Sequence, residues 1–180
     1  VVNASKKAYK NFIEKSKVSA ILKLDDVLKN LGLIKDNYIK NAGVLLFCNK
    51  ITKFFKNATI TCVLFQGIDK NKIIDSKEFD SDLYSNYDNV FNYLKSKLNT
   101  EYIIKGGPRE EVLEFPENAL REAILNAVAH RNYFMSSNIQ IHVFSNRIEI
   151  INPGGLVPGM KISDLGRKSS PRNLLLFGLM

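Results

Sequence analysis

The chain reads Leu120-Arg-Glu-Ala-Ile-Leu-Asn-Ala-Val-Ala-His-Arg-Asn-Tyr133 and, shortly afterwards, Asn146-Arg-Ile-Glu-Ile-Ile-Asn-Pro-Gly-Gly-Leu156. In the first stretch apolar residues recur at helical spacing and predict one buried stripe. Glu122, Asn126 and His130 fall at positions i, i+4 and i+8, which places them on an adjacent stripe of the same helix. The sequence therefore predicts a helix that carries three polar side chains in a row.

Two strands and a glycine loop are predicted after this helix. Pro116 and Glu117 begin the helix with the residue types that its first turn favours. Residues 138–144 and 147–151 are rich in β-branched and aromatic residues and read as strands joined by a tight turn. A pair of glycines after the second strand lets the backbone approach a ligand closely.

The side chains on the helix suit two chemical tasks. Glu122 has a carboxylate that can orient or deprotonate a water molecule. Asn126 has an amide oxygen that can help to hold Mg²⁺, an ion that keeps several waters and takes few protein ligands. A Glu-x-x-x-Asn pair recurs by chance in many helices, so an exposed polar helix face followed by a simple turn is the alternative interpretation of these residues.

The rest of the chain predicts a mixed fold. The remaining predicted elements are a helix over 6–16, a helix over 26–31 that Asp25 caps and Gly32 ends, strands over 41–48, 58–65 and 73–79, a helix over 82–98, a hairpin of 101–105 and 111–115 around Gly106-Gly107-Pro108, and short helices near 163–165 and after Pro171. The predicted fold class is α/β (α+β). We expect a Lys-rich N-terminal helix over 1–16, a mixed α/β linking module over 17–100 and a second α/β module over 101–180.

The positive charge is concentrated at one end of the chain. The net charge is +8, and residues 1–57 hold 12 Lys against four acidic residues, a balance of 12 − 4 = +8, so the remainder is neutral. All six Arg lie after residue 108. Lysines without a recognition-helix pattern predict solvated faces and at most salt-sensitive, non-specific DNA binding by residues 6–56.

The cysteines and the hydropathy indicate where the protein works. Cys48 and Cys62 lie in apolar runs without a CxxC pattern, which predicts buried free thiols in a cytosolic protein. No apolar run approaches the roughly 20 residues that a membrane span needs, and no signal peptide is visible. We therefore expect a cytoplasmic protein with no membrane partner.

The quoted stretches, together with Ser170-Pro-Arg-Asn173, resemble a known family. They are similar to the GHKL-type ATPase module of transcriptional regulators that carry a Schlafen/AlbA-type N-terminal domain and are often labelled RecG-helicase-related. Two earlier segments, Asn41 to Phe47 and Ile74 to Asp80, resemble the part that joins the two domains in that family. The resemblance covers roughly residues 25–180.

The resemblance implies ATP and Mg²⁺ as cofactors and assigns roles by position. Glu122 matches the general base of the GHKL helix, and Asn126 matches its Mg²⁺ ligand. Asn152 falls where GHKL enzymes place the Asp that binds the adenine amino group; an Asn still accepts a hydrogen bond but has lost the charge. Gly154 and Gly155 match the glycines beside the nucleotide.

The resemblance leaves the roles of four residues open. His130 and Arg131 match the family run, where a structural role is as plausible as ligand contact, and Arg172 and Asn173 have no assigned role. The resemblance leads us to expect a central fragment of a longer protein, which would meet DNA through its N-terminal domain or through the basic segment. Without a second glycine-rich box, we expect this chain to bind ATP weakly at most. The alternative is a non-catalytic interaction or dimerisation module with a degenerate GHKL fold.

Overall fold

A computed structural model describes residues 5–15, 23–98, 100–103, 110–113, 115–164, 167 and 170–180. The helices are α1 (Lys6–Lys15), α2 (Leu24–Asn30), α3 (Asn41–Phe47), α4 (Leu83–Lys97), α5 (Glu117–His130) and α6 (Leu174–Leu179). The strands are β1 (Ile34–Lys35), β2 (Tyr38–Ile39), β3 (Ile60–Phe65), β4 (Ile73–Phe79), β5 (Thr100–Ile103), β6 (Glu110–Leu113), β7 (Ile139–Val143) and β8 (Ile148–Ile151). Two 3₁₀ turns span Ile51–Lys53 and Ile162–Asp164. The predicted α/β (α+β) class is confirmed.

A four-stranded sheet in the order β4-β3-β7-β8 forms the base of the fold. Its two hairpins, β3–β4 and β7–β8, are antiparallel, and they join through the parallel pair β3–β7. The register sets Cys62 opposite Ile141, and both side chains are buried against the helices. Alternation along each strand then turns polar side chains such as Gln140 to the other face.

Two helices cover one face of this sheet, and a second helical layer lies outside them. Both α4 and α5 pack on the sheet, while α1 and α3 pack against α4. Asp82 caps α4, because its carboxylate accepts a hydrogen bond of 2.9 Å from the backbone N–H of Ser85. The inner stripe of α5 includes Ile124 and Val128, both fully buried. This packing leaves the stripe that carries Glu122 outside the core.

The predicted strand over residues 41–48 is wrong, because residues Asn41–Phe47 form helix α3. Every residue from Gly43 to Phe47 is buried, and Phe47 packs edge-on against Phe12 of α1, with ring centroids 5.1 Å apart. A continuous apolar run is compatible with a buried strand and with a helix that is surrounded on all sides. The neighbouring helices α1 and α4 decide the matter, because they bury this segment on several faces.

Most other predicted elements are confirmed, with one further correction. Asp25 does not cap α2; the helix begins at Leu24 after Lys23, and Asp25 lies in its first turn. Gly32 follows the helix as predicted, and its N–H donates to the carbonyl of Lys29 at 2.9 Å. Strands β5 and β6 pair in antiparallel fashion as expected. Residues Gly106-Gly107-Pro108, the predicted turn between them, lie outside the described residues.

The sheet draws strands from both sides of the boundary predicted near residue 100. Strand β3 belongs to the first segment and β7 to the second, yet they are hydrogen-bonded neighbours. The division into modules over 17–100 and 101–180 therefore stays a prediction about organisation, while the two segments share one sheet. Cys48 and Cys62 are both buried and free, as predicted. Within the described ranges, no helix has the length and apolar character required to cross a membrane.

Candidate functional site

A cavity of about 590 Å³ lies where α5, the loop after β8 and the segment before α6 meet. All five predicted site residues line it, namely Glu122, Asn126, Asn152, Gly154 and Gly155. The remaining lining residues are His130, Leu156, Val157, Met160, Arg167, Ser170, Arg172 and Phe177. Residues from a helix and from a loop 30 positions later thus come together.

Glu122 and Asn126 form one polar pair on the exposed side of α5. The side-chain amide of Asn126 donates a hydrogen bond of 2.9 Å to Oε1 of Glu122. Their spacing of one helical turn makes this contact possible. Because the N–H₂ group faces the carboxylate, Oδ1 of Asn126 is left free to accept or to coordinate a cation.

Asn152 is oriented by the backbone of α5. Its Nδ2 donates a hydrogen bond of 2.9 Å to the carbonyl of Ala127. Its Oδ1 is buried and has no hydrogen-bond partner among the described residues. Reversal of the amide would set Oδ1 against the carbonyl oxygen of Ala127, so the hydrogen bond to the helix fixes Oδ1 as the unpaired acceptor. A buried acceptor without a partner is uncommon and calls for a ligand or a water.

The two glycines of the loop have different constraints. Gly154 adopts a φ of 108°, and an added Cβ would lie 3.0 Å from Cβ of Asn132, so only glycine fits there without strain. Gly155 has open space where a Cβ would stand. The loop is also fixed to the end of α5, because the N–H of Asn132 donates to the carbonyl of Pro153 at 2.9 Å. Both glycines line the cavity.

Arg131 has a structural role, which answers one question that the sequence left open. Its guanidinium is buried and donates hydrogen bonds of 2.8 and 2.7 Å to the carbonyls of Asn57 and Ser137. The guanidinium also lies over the ring of Tyr133, 4.6 Å from its centroid. Burial lowers the pKa of Arg131 below its usual value. The side chain ties α5 to two loops at the ends of β3 and β7 and does not reach the cavity.

Asn173 and His130 connect the cavity to α6. The Asn173 side-chain amide donates to the carbonyls of Ala129 and Arg131, at 2.9 and 2.7 Å. His130 lines the cavity and packs edge-on against Phe177 of α6, with 5.9 Å between ring centroids. These contacts hold α6 beside the C-terminal end of α5, so α6 forms one wall of the cavity.

The structure also shows what the sequence missed. Arg172, whose role the sequence left open, lines the cavity and donates a hydrogen bond of 2.7 Å to the carbonyl of Gly155. Leu156, Val157 and Met160 add apolar walls, and no pattern in the sequence distinguishes them from ordinary loop residues. In the sequence, only the family resemblance of Ser170-Pro-Arg-Asn173 could have indicated Arg172.

The chemistry available in the cavity is that of an anion or metal-anion site. Its charged lining side chains are the carboxylate of Glu122 and the guanidinium groups of Arg167 and Arg172. No cluster of three or more His, Cys, Asp or Glu that could hold a metal by itself exists in the described part of the chain. A cation here would therefore depend on few protein ligands and on ligand oxygens, which is the usual mode for Mg²⁺ with phosphates.

A family model matches the end of the chain. Residues 136–180 match the family described as "Putative ATP-dependent DNA helicase recG C-terminal". The match supports a RecG-related, ATPase-like module. It covers 45 of the 180 residues, from before β7 through α6, so Asn152 and the glycines lie inside it, while Glu122 and Asn126 lie outside. No curated protein matches the chain.

A solved structure shares the fold. The crystal structure of the DIP2311 protein from Corynebacterium diphtheriae superimposes with a TM-score of 0.81 at 20% sequence identity. The alignment covers 98% of this chain and 37% of that protein. At this identity the likeness shows the fold alone, and the chain spans little more than a third of the length of that neighbour.

Proposed function

We propose that the cavity binds ATP together with Mg²⁺, and that Glu122 activates the water that hydrolyses it. The observation that carries the proposal is the convergence of Glu122, Asn126 and Asn152 on one cavity. The RecG-related, ATPase-like match over residues 136–180 supports the same ligand class. The volume of about 590 Å³ lies in the range of small-molecule and cofactor sites.

The α5 side of the cavity suits the metal and the water. Asn126 presents a free Oδ1, since its amide nitrogen is held by Glu122. An amide oxygen is a suitable ligand for Mg²⁺ when phosphate oxygens and waters complete the octahedron. Glu122 has its second carboxylate oxygen free for a proton from a water molecule.

The loop side suits the base. The carbonyl of Ala127 holds the Asn152 amide so that Oδ1 remains the acceptor. Once a movement of the loop exposes Oδ1, this acceptor would pair with the exocyclic amino group of adenine and oppose the carbonyl of guanine. Asn152 can therefore replace the charged residue of the GHKL pattern with a neutral acceptor of fixed orientation.

We further propose that the module belongs to a transcriptional regulator of the Schlafen/AlbA-type, RecG-related family, acting on DNA in the cytoplasm. The ten lysines of residues 6–56 whose side chains are described are all exposed, as solvated faces require. Two of them pair with acids, in Lys10–Glu14 and Lys50–Asp80, at 3.7 Å each. This arrangement supports salt-sensitive, non-specific DNA contact by the segment, with sequence recognition located elsewhere in the protein.

The test is an NMR titration of the chain with ATP, with Mg²⁺ and with EDTA. We expect the side-chain amide signals of Asn126 and Asn152 to shift, and Mg²⁺ to strengthen binding. Asn126→Ala should reduce the Mg²⁺-dependent part of the affinity by at least about tenfold, because it removes a metal ligand. Asn118→Ala, on the same helix but outside the cavity, is the matched control. Unchanged cavity signals at millimolar ATP would overturn the proposal.

The second candidate is a non-catalytic module that pairs with another copy of itself. Oδ1 of Asn152 has less than 1 Å² of its surface exposed, so a base reaches it only if the loop moves. A separate apolar groove of about 230 Å³ lies beside the start of α6, where Phe134 is 86% and Leu174 74% exposed. This candidate would be favoured over the nucleotide site if the chain sediments as a dimer and the NMR signals of the cavity residues do not shift when ATP is added.

A further inference from the structure

The cavity has a net positive lining that neither the metal nor the base explains. Two guanidinium groups, of Arg167 and Arg172, line it against the single carboxylate of Glu122. Adenine needs no cation, and a metal site is weakened by one nearby. Fixed cations in a cavity raise the local concentration of anions. The ligand is therefore expected to carry negative charge where these arginines lie.

Arg172 is hydrogen-bonded to the glycine loop. One terminal nitrogen donates to the carbonyl of Gly155 at 2.7 Å, and the same nitrogen lies 3.6 Å from the position of an added Cβ on Gly154. No carboxylate lies within ion-pair distance of Arg172 in the described ranges of the chain. A guanidinium has five N–H donors, so most of the Arg172 donors are available to a ligand in the cavity.

The neighbouring residue makes this position rigid. Asn173 bonds to the carbonyls of Ala129 and Arg131 and thereby fixes the backbone beside Arg172 to the end of α5. The guanidinium is in turn bonded to the loop that carries Asn152 and the glycines. Arg172 is therefore preorganised relative to both the α5 side and the loop side of the cavity, which lowers the entropy lost when it binds a ligand.

We propose that Arg172 binds the phosphate groups of the nucleotide, so that the ligand of this cavity is a nucleoside polyphosphate and not a nucleoside. The identity of the base rests on the proposed function, whereas the anion site does not. A guanidinium fork matches two phosphate oxygens at once. Arg172 and the Glu122–Asn126 pair line the same cavity, so phosphates held by Arg172 would share it with the proposed Mg²⁺ ligand Asn126.

The experiment compares ATP, adenosine and inorganic triphosphate as ligands of the chain, by NMR titration in the presence of Mg²⁺. We expect ATP to bind at least about tenfold more tightly than adenosine, because a charge-assisted hydrogen bond contributes a factor of this size. Arg172→Gln should lose about 10- to 100-fold in affinity for ATP and for triphosphate. Its affinity for adenosine should stay within about twofold, which shows that the loop remains intact. Arg147→Gln, which removes an equal charge outside the cavity, is the control.

The outcomes separate this inference from the proposed function. If Arg172→Gln loses affinity for ATP and for adenosine equally, or loses affinity for neither, the phosphate role is overturned while nucleotide binding stands. Triphosphate binding that depends on Arg172, without any ATP preference, would support the anion site and contradict the nucleotide proposal. If neither ATP nor triphosphate binds to the unmodified chain, both are wrong. The ATP affinity of Arg172→Lys should lie between those of the unmodified chain and of Arg172→Gln. Lysine keeps the positive charge but loses the two-pronged geometry of the guanidinium.

Discussion

The C-terminal end of α5 and its middle differ in how their polar groups are satisfied. At the end, side chains bond to the backbone carbonyls of the last turn: Asn152 to Ala127, the hydroxyl of Tyr133 to Val128, and Asn173 to Ala129 and Arg131. In the middle, Glu122 and Asn126 bond only to each other among the described residues and face the cavity.

The difference separates scaffold from site on a single helix. Carbonyls at a helix end need donors, and here three side chains supply them, two of which come from distant parts of the chain. Each of those bonds also fixes a loop or a helix around the cavity, so capping α5 builds the walls of the site. The middle of the helix keeps its polar atoms free for a ligand. We therefore expect substitutions in the middle to change function and substitutions at the end to change stability.

The largest expected effect is on catalysis in the middle of the helix. In a protein preparation that hydrolyses ATP, Glu122→Gln should lower turnover by about 10²- to 10⁴-fold, because it removes the proposed general base and keeps the size and most hydrogen bonding of the side chain. Nucleotide affinity should stay nearly unchanged. Single-turnover kinetics together with a binding titration measures both quantities.

The same variant tests the functional half of the comparison. Glu122 is exposed, so Glu122→Gln should change the free energy of unfolding by less than about 0.5 kcal/mol. An unchanged turnover would remove the enzymatic role and leave the interaction module standing. A large loss of stability would show that the middle of α5 belongs to the scaffold after all.

The next largest effect concerns the helix end. Asn173→Ala removes the donor for the carbonyls of Ala129 and Arg131 and should lower the free energy of unfolding by about 2 kcal/mol. Urea denaturation measures it. Asn118→Ala, in the first turn of the same helix and exposed, should cost less than about 0.5 kcal/mol. An equal loss of unfolding free energy in the two variants would mean that water replaces the Asn173 side chain as donor. The proposed difference between the end and the middle of α5 would then be wrong.

The smallest effect comes from a polar group that is unsatisfied yet far from the cavity. His142 of β7 is buried among Phe65 and Phe144, and its Nδ1 lacks a hydrogen-bond partner in the described chain. Burial, with a smaller contribution from Lys70, lowers the pKa of His142 below 6.5, although Glu149 opposes the shift. The unfolded chain thus takes up this proton at a higher pH than the folded chain.

The lowered pKa of His142 makes the folded protein less stable as the pH falls. The stability that His142 contributes is present above about pH 6.5 and is lost as the pH falls towards its lowered folded-state value. His142→Gln should remove that part of the slope between pH 7.5 and 5.5, as measured by urea denaturation at several pH values. An identical slope in the variant would assign the dependence to other groups.

Local patterns predicted the regular elements where propensity and packing agree. The β-branched run of β3, the helical spacing of α4 and the proline at the start of α5 each specified one structure. The same reasoning failed at α3, whose apolar run is buried on all sides and has no distinctive period. It also assigned the wrong cap to α2, because Lys23 occupies that position without a side-chain hydrogen bond.

The candidate site was predictable in its members and not in its geometry. Spacing alone placed Glu122 and Asn126 on one helical stripe, and the family resemblance added Asn152 and the glycines. Neither indicated that the amide of Asn152 would be oriented by the carbonyl of Ala127, or that Arg172 would bond to Gly155. These bonds join residues 17 to 25 positions apart, and no local pattern carries such information.

The sequence by itself determined the polar stripe of α5 and the order of most strands and helices, because helical and strand periodicities depend on neighbouring residues alone. Only the tertiary structure decided that the two segments share one sheet, that α3 is a helix, and that Arg131 and Asn173 support the scaffold while Arg172 faces the cavity. The physical reason is that each of these outcomes depends on which distant groups supply burial or hydrogen-bond partners.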